Sequence, residues 1–265
     1  MPDASLFDLQ FEWGPNGLAR LGPGAAGVVI VDVLRFTTAV SVAIDRRATV
    51  LPYPWADDGA QTYAAQHNAL LAGAGPDGSG GVRWSLSPVD LARLRPGTRL
   101  VLPSPNGSAL AYGAREHAPH AAVLAGCLRN ASAVAHEVAE SLSRGPVVVV
   151  GAGERWSSAG GAPGLRPAVE DLLGAGAVLR ALRVLTGVAP DRVSPEARAA
   201  MAAFDEARDD LPAWLLASTS GRELVGRGRR DDVLAAAALD VEAIAPVLVR
   251  AAFVGATPRS LSHLR

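Results

Sequence analysis

Three short stretches gather residue types able to handle an anion or a metal ion. The first is VDVLRFTT, which follows the apolar run Val28–Val31 and places Asp32, Arg35, Thr37 and Thr38 in quick succession. An ionised carboxylate just past a buried strand is costly unless it is paired or binds a cation. A guanidinium with two hydroxyls is a set of donors for phosphate oxygens. The same residues also suit a structural Asp–Arg pair with a threonine cap on the next helix, and this stretch alone leaves the two readings level.

The second stretch, Ser104-Pro105-Asn106-Gly107-Ser108, offers two hydroxyls, an amide and a glycine ahead of a helical segment. That suits a phosphate cradle at a helix N-terminus, although Pro-Asn-Gly is also an ordinary turn. The third, Gly151-Ala152-Gly153-Glu154-Arg155-Trp156, invites a dinucleotide-binding reading with Glu170 or Asp171 about 20 residues on. Trp156 stands where the third glycine should be, and SSAGGAPGLRP reads as loop, so a dinucleotide site is not expected. Glu170 and Asp171 open a long helical segment. Acidic residues there complement the helix dipole, and they equally suit magnesium, which takes a few carboxylates plus waters.

Several chemistries are excluded or weakly supported. All 25 basic residues are arginine, so any mechanism needing a lysine is ruled out, and anions must be read by arginine, hydroxyls or backbone N–H groups. Cys127 lacks an arginine six residues on, since Ala133 stands there, and reads as a buried inert thiol. His117 and His120 are weak grounds for zinc. No GxSxG elbow is present, and Leu34 occupies the place of a second aspartate two residues after Asp32.

The elements that must position these residues alternate. Strands are expected at Leu6–Trp13, Val28–Val33, Thr49–Tyr53, Arg99–Leu102, Ala122–Ala125 and Val147–Val150. Helices are expected at Thr38–Asp45, Gly59–Leu71, Ser108–His117, Ala131–Ser143, Val169–Thr186, Pro195–Arg208 and Asp231–Leu239. Continuously apolar strands alternating with helices imply an α/β fold, a layered α/β/α sandwich with each polar cluster at a strand end. Gly73–Ser87 and Ser157–Pro167 read as loops. The 265 residues are expected to form a single domain, with the turn at 143–146 as the seam if it divides into two similar lobes around a shared cleft. A formal charge of -1 without a basic tract argues against a nucleic-acid partner. No apolar run reaches the roughly 20 residues of a membrane helix. MPDASLFDLQ lacks the features of a signal peptide, and one cysteine permits no internal disulfide, so a cytoplasmic enzyme is expected.

Taken in order, VIVDVLRFTTAVSVAI, SPNGSAL, CLRNASAVA, GAGERW with EDLLGAGA, and SGRELVGRGRRDDV resemble successive segments of the 2-phosphosulfolactate phosphatase family. The resemblance implies a magnesium-dependent phosphatase acting on a phosphate ester of sulfolactate, on a path to coenzyme M. The chain departs from the family at AGAGPDGSGGVRWSLSP, where a Glu-Arg pair is missing and Leu86-Ser87-Pro88 replaces Asn-Ser-Pro, with Arg83 as a partial substitute. A small anionic phosphorylated substrate is implied, with its exact identity open, and a homodimer is compatible. On this reading Asp32 is a nucleophile or a metal ligand, and Arg35 holds a phosphoryl oxygen. Thr37, Thr38, Ser104, Asn106, Gly107 and Ser108 complete the cradle. Glu170 and Asp171 join Asp32 around Mg2+, and Arg129, Asn130 and Arg155 receive the substrate's other anion. The rival reading is a non-catalytic anion- or nucleotide-binding protein on the same scaffold.

Overall fold

The computed structural model describes residues 6–54, 57–73, 84–156 and 164–256. The chain enters through β1 (Leu9–Trp13) and α1 (Gly14–Leu21), then β2 (Gly27–Val31) and α2 (Phe36–Asp45). Next come β3 (Thr49–Tyr53), α3 (Asp58–Gln66), the short β4 (Leu70–Leu71) and α4 (Pro88–Leu91). β5 (Arg99–Pro103), α5 (Gly107–His117), β6 (Ala122–Gly126), α6 (Ala131–Ala139) and β7 (Val147–Gly151) follow. A small ladder of β8 (Glu154–Arg155) and β9 (Leu165–Arg166) precedes α7 (Val169–Thr186). The helices α8 (Pro195–Ala207), α9 (Leu211–Ala217), α10 (Thr219–Gly226) and α11 (Arg230–Ala236) lead to a final hairpin, β10 (Pro246–Val249) and β11 (Ala252–Gly255).

Among the described residues, nine strands form one mixed sheet in the order β1-β7-β2-β6-β10-β11-β3-β5-β4. β1, β7, β2 and β6 are mutually parallel, as are β3, β5 and β4. β10 is antiparallel to β6, to β11, and β11 to β3, so the two parallel blocks run in opposite senses. The hairpin is the only link between them within the sheet as described.

β2 explains the layering. Its five residues are all buried because both faces are covered. Val28 and Ile30 join one apolar cluster with side chains of α1, α2 and α5. Val29 and Val31 join the other, with α6, α7 and α8. The first cluster also takes Leu100 and Leu102 from β5, so both parallel blocks turn the same face onto one helical layer. Twist accumulates at roughly 20–25° per strand step, and five steps separate β2 from β5. α5 packs across this face against both β2 and β3, which carries its N-terminus to the end of β2.

α7 is held against the end of β2 by a small residue. A Cβ on Gly174 would stand 2.6 Å from Val33 Cγ2, so only glycine lets the helix approach this closely. Its N-terminus, with Glu170 and Asp171, is thereby brought under the strand end.

The α/β/α layering agrees with the expectation from sequence. The expected helix 59–71 stops at Gln66, because Asn68 turns into the left-handed region at φ +48, and Leu70–Leu71 pair as edge strand β4. The segment 131–143 is α-helical only to Ala139 and tightens into a 3-10 turn through Ser143. The turn at 143–146 leads into β7, which inserts between β1 and β2 of the same sheet. Most of the two expected loops, including Arg83, lies outside the described residues. Among the described residues no helix is long and apolar enough to cross a membrane.

Candidate active site

β2 ends at Val31, and the turn beyond it is fastened by two buried carboxylates, Asp32 and Asp171. Asp32 is 6% exposed. Its Oδ1 accepts from the Phe36 N–H at 3.1 Å, and its Oδ2 accepts from the Gly107 N–H at 2.8 Å. Those N–H groups open α2 and α5, so a single carboxylate caps two helices whose first donors would otherwise be orphaned. The approach requires glycine at 107: a Cβ there would lie 2.7 Å from Asp32 Oδ2 and 2.4 Å from Phe36 Cδ1. Asp171, 3% exposed, accepts from the Val33 N–H at 2.7 Å and from the Gly153 N–H at 2.9 Å. It thus ties the ends of β2 and β7 to the start of α7.

The hydroxyls expected to donate to a ligand are engaged locally. Thr37 donates to the Asp32 carbonyl and accepts from the Asp32 N–H, each at 2.9 Å. Thr38 donates to the Val33 carbonyl at 2.7 Å, and Ser108 donates to the Leu102 carbonyl at 2.7 Å. Ser104 accepts from the Asn106 N–H at 3.3 Å. These residues shape the turns that present Asp32. The anion at the two helix ends is the protein's own carboxylate.

Asn106 reaches further. Its Nδ2 donates to Glu154 Oε2 at 2.9 Å. Glu154 opens β8, just beyond β7, and is half-buried, whereas Arg155 beside it is exposed, as alternation along a strand dictates. Glu170 is 2% exposed, and its Oε2 has no hydrogen-bond partner among the described residues.

Four carboxyl groups therefore share one buried region and repel one another. Burial pushes Asp32 up to about 6 against the pull of the Phe36 and Gly107 N–H groups, and Glu170 adds to the rise while Arg35 opposes it. Burial raises Glu154 to about 7, with Asp32 and Glu170 adding to the rise and the Asn106 amide and Arg166 opposing it. Asp171 is pushed well above the usual carboxylate range by burial and by its neighbours Asp32 and Glu170. Among the described residues no three such groups already converge as a complete cation cage. The Glu170 Oε2 is left there without a donor. An all-oxygen donor set with few direct carboxylates suits a hard divalent ion that keeps most of its waters.

Arg35, three residues past Asp32, forms an ion pair with Asp232, Nη1 to Oδ2 at 2.6 Å. The Leu34–Arg35 peptide is cis. Arg129 and Asn130 are placed in a different polar cluster. Arg129 donates from Nε to Glu242 Oε1 at 2.8 Å and from Nη1 to the Ala235 carbonyl at 2.6 Å. Asn130, fully buried, accepts from the Cys127 N–H and donates to the Ala125 carbonyl, closing the turn after β6. The Cys127 thiol is pushed up to about 12 by burial.

The structure thus brings together Asp32, Asn106, Gly107, Glu170 and Asp171 and leaves Arg129 and Asn130 elsewhere. Sequence reasoning missed Glu154, Arg166 and Asp232. Glu154 sits in the third polar stretch and follows β7, the strand beside β2, so neighbouring strand ends were the available signal. A family model described as 2-phosphosulpholactate phosphatase matches residues 22–251 of the chain.

Proposed function

The chain belongs to the 2-phosphosulpholactate phosphatase family, and from that premise we propose that it is a magnesium-dependent phosphatase hydrolysing the phosphate monoester of a small anionic hydroxy acid, 2-phosphosulfolactate or a close analogue. The observation that carries this reading is the buried carboxylate cluster with an unpartnered Glu170 oxygen, beside a turn that carries Arg35. Glu170 would hold the ion directly, with Asp32 and Asp171 contributing through their remaining lone pairs or through water. A bound magnesium ion would neutralise negative charge on the phosphoryl group.

The chain's own residues supply the rest. Arg35 binds phosphoryl oxygens, the role for which a planar fork is suited. Asp32 keeps the starts of α2 and α5 in register around the group. Glu154, at about 7, holds a proton near neutral pH and is the general acid. Water attacks phosphorus and the ester P–O bond breaks. The leaving oxygen takes the Glu154 proton, and the proton lost by the attacking water restores Glu154. Arg166, whose charge acts on Glu154 and which donates to Ser220 at 3.1 Å, would receive the substrate's second anion.

The test is phosphate release from a panel of phosphorylated hydroxy acids, phosphosulfolactate included, with magnesium and with chelator, by the natural chain and by Asp32→Asn. Magnesium-dependent release that falls at least ~10²-fold in the variant, the scale of losing one transition-state group, supports the reading. A folded, magnesium-supplied protein that releases phosphate from no panel member overturns it.

A further inference from the structure

Among the described residues two arginines pair with buried carboxylates, and they use their donors differently. Arg129 uses every nitrogen of its fork. Nε and Nη2 both contact Glu242 Oε1 at 2.8 Å, and Nη1 donates to the Ala235 carbonyl. That guanidinium is a completed internal brace. Arg35 is almost as enclosed, its side chain 19% exposed against 17% for Arg129. Yet only Nη1 is engaged, on Asp232, and Nε and Nη2 have no hydrogen-bond partner among the described residues. Neither nitrogen is among the buried atoms cut off from solvent, so both remain open to a ligand anion. The unfilled side is also the one a tetrahedral oxyanion can meet with two parallel N–H bonds.

Asp232 is built to hold its end fixed. It lies in the first turn of α11 and is 2% exposed. Oδ2 receives Arg35, and Oδ1 receives the Ser87 hydroxyl. Ser87 is itself locked: it is the N-cap of α4, where its hydroxyl oxygen accepts from the Asp90 N–H at 3.2 Å. A rigid helix start, a carboxylate and a guanidinium therefore form a chain that ends three residues from Asp32. The positive charge at its end acts on the Asp32 carboxylate.

We propose that Asp232 is a positioning residue for the phosphatase reaction: it anchors Arg35 through Nη1 so that Nε and Nη2 stay free for the phosphoryl oxygens, and Ser87 fixes Asp232 in turn. The inference rests on the phosphatase reading above and adds to it a residue that touches neither substrate nor metal. A packing role alone would tie α11 and α4 to the β2–α2 turn and would not involve the free edge of Arg35.

A double-mutant cycle separates these roles. Phosphate release is measured for the natural chain, Arg35→Gln, Asp232→Asn and the double variant, with Ser87→Ala as a milder perturbation that keeps the carboxylate. Arg35→Gln is expected to lower kcat/KM by about 10²-fold, on the scale of losing one oxyanion donor. Asp232→Asn is expected to lower it by roughly 10-fold, and Ser87→Ala by less. If Asp232 acts through Arg35, its substitution adds nothing further once Arg35 is gone, and the double variant matches Arg35→Gln within about threefold. Equal factors for Asp232→Asn in both backgrounds would overturn the proposal. The rise in unfolding temperature caused by inorganic phosphate is measured on the natural chain, Arg35→Gln, Asp232→Asn and the double variant. This readout needs no turnover. If the natural chain releases phosphate from no ester, the phosphatase reading fails, while the phosphate shift still tests the anchoring. A shift that Asp232→Asn leaves at full size overturns it.

Discussion

Replacing Glu170 by glutamine should make the cation-free protein more stable at alkaline pH, although it deletes a charged group from the first turn of a helix. Two terms compete. Glu170 favours the positive end of α7 by about 0.5 kcal/mol, as first-turn carboxylates do. Against this, its Oε2 is buried without a partner, and a charged group left so costs roughly 1–3 kcal/mol more than a neutral amide in the same place. Its charge also raises the carboxyl groups of Asp32, Glu154 and Asp171. The second term wins, and the expected net gain is about 1–2 kcal/mol. In a chain of this length that corresponds to roughly 3–6 °C in unfolding temperature.

The pH dependence identifies the cause. Asp32 rises from 3.8 to about 6 and Glu154 from 4.5 to about 7 on folding. Between the unfolded and folded values the native state holds more protons than the unfolded one, so stability falls as pH rises through that window. Near pH 5 both groups are protonated and Glu170 has fewer charges to repel, so the gain from glutamine should shrink. The assay is thermal unfolding of both proteins in chelator at about pH 5 and about pH 8, repeated with magnesium. Magnesium should raise the natural chain's unfolding temperature near pH 8 and have much less effect on Glu170→Gln. A variant equally shifted at both pH values, or destabilised near pH 8, would refute the reasoning about the cluster.

Other substitutions probe the same geometry. Gly107→Ala drives a Cβ onto Phe36 Cδ1 and Asp32 Oδ2; overpacking of this kind costs about 1–3 kcal/mol, measurable by chemical denaturation, and phosphate release should fall with it. Asn106→Ala removes the amide that opposes the rise of Glu154. The alkaline limb of the pH–rate profile, which falls as the general acid loses its proton, should therefore move to higher pH, and a move to lower pH would contradict Glu154 as the acid. Cys127, fully buried and pushed up to about 12, should resist thiol reagents in the native state and react only on unfolding.

How much of this could be read from residue order depends on the range of the interaction. β2 and β7 declare themselves because each is a continuous apolar run buried on both faces. Their polar successors, Asp32 and Glu154, sit at strand ends, as the layered fold requires. β10 and β11 escaped notice, since PVLV and AFVG are short and carry no pattern that distinguishes them from loop. The joining of Arg35 to Asp232 spans 197 positions, and no local pattern predicts it. The local bonds of the threonines were hidden for a related reason. A hydroxyl near a helix start can serve a ligand or its own turn, and only the closed geometry shows that Thr37 and Thr38 serve the turn. Arg129 drew attention as a spare cation because Glu242, which uses up its fork, lies 113 positions away.

The hairpin β10–β11 has a consequence for how the molecule is made. On the ribosome, every other strand of the sheet leaves the exit tunnel before residues 246–255 do. Until then β6 and β3 each present an unpaired backbone edge, and exposed edges of this kind are templates for pairing with other chains. The two blocks become one sheet only when the last strands insert between them. A nascent chain that pauses or terminates before residue 246 therefore carries two sticky borders, and its safe maturation depends on how quickly the closing hairpin follows.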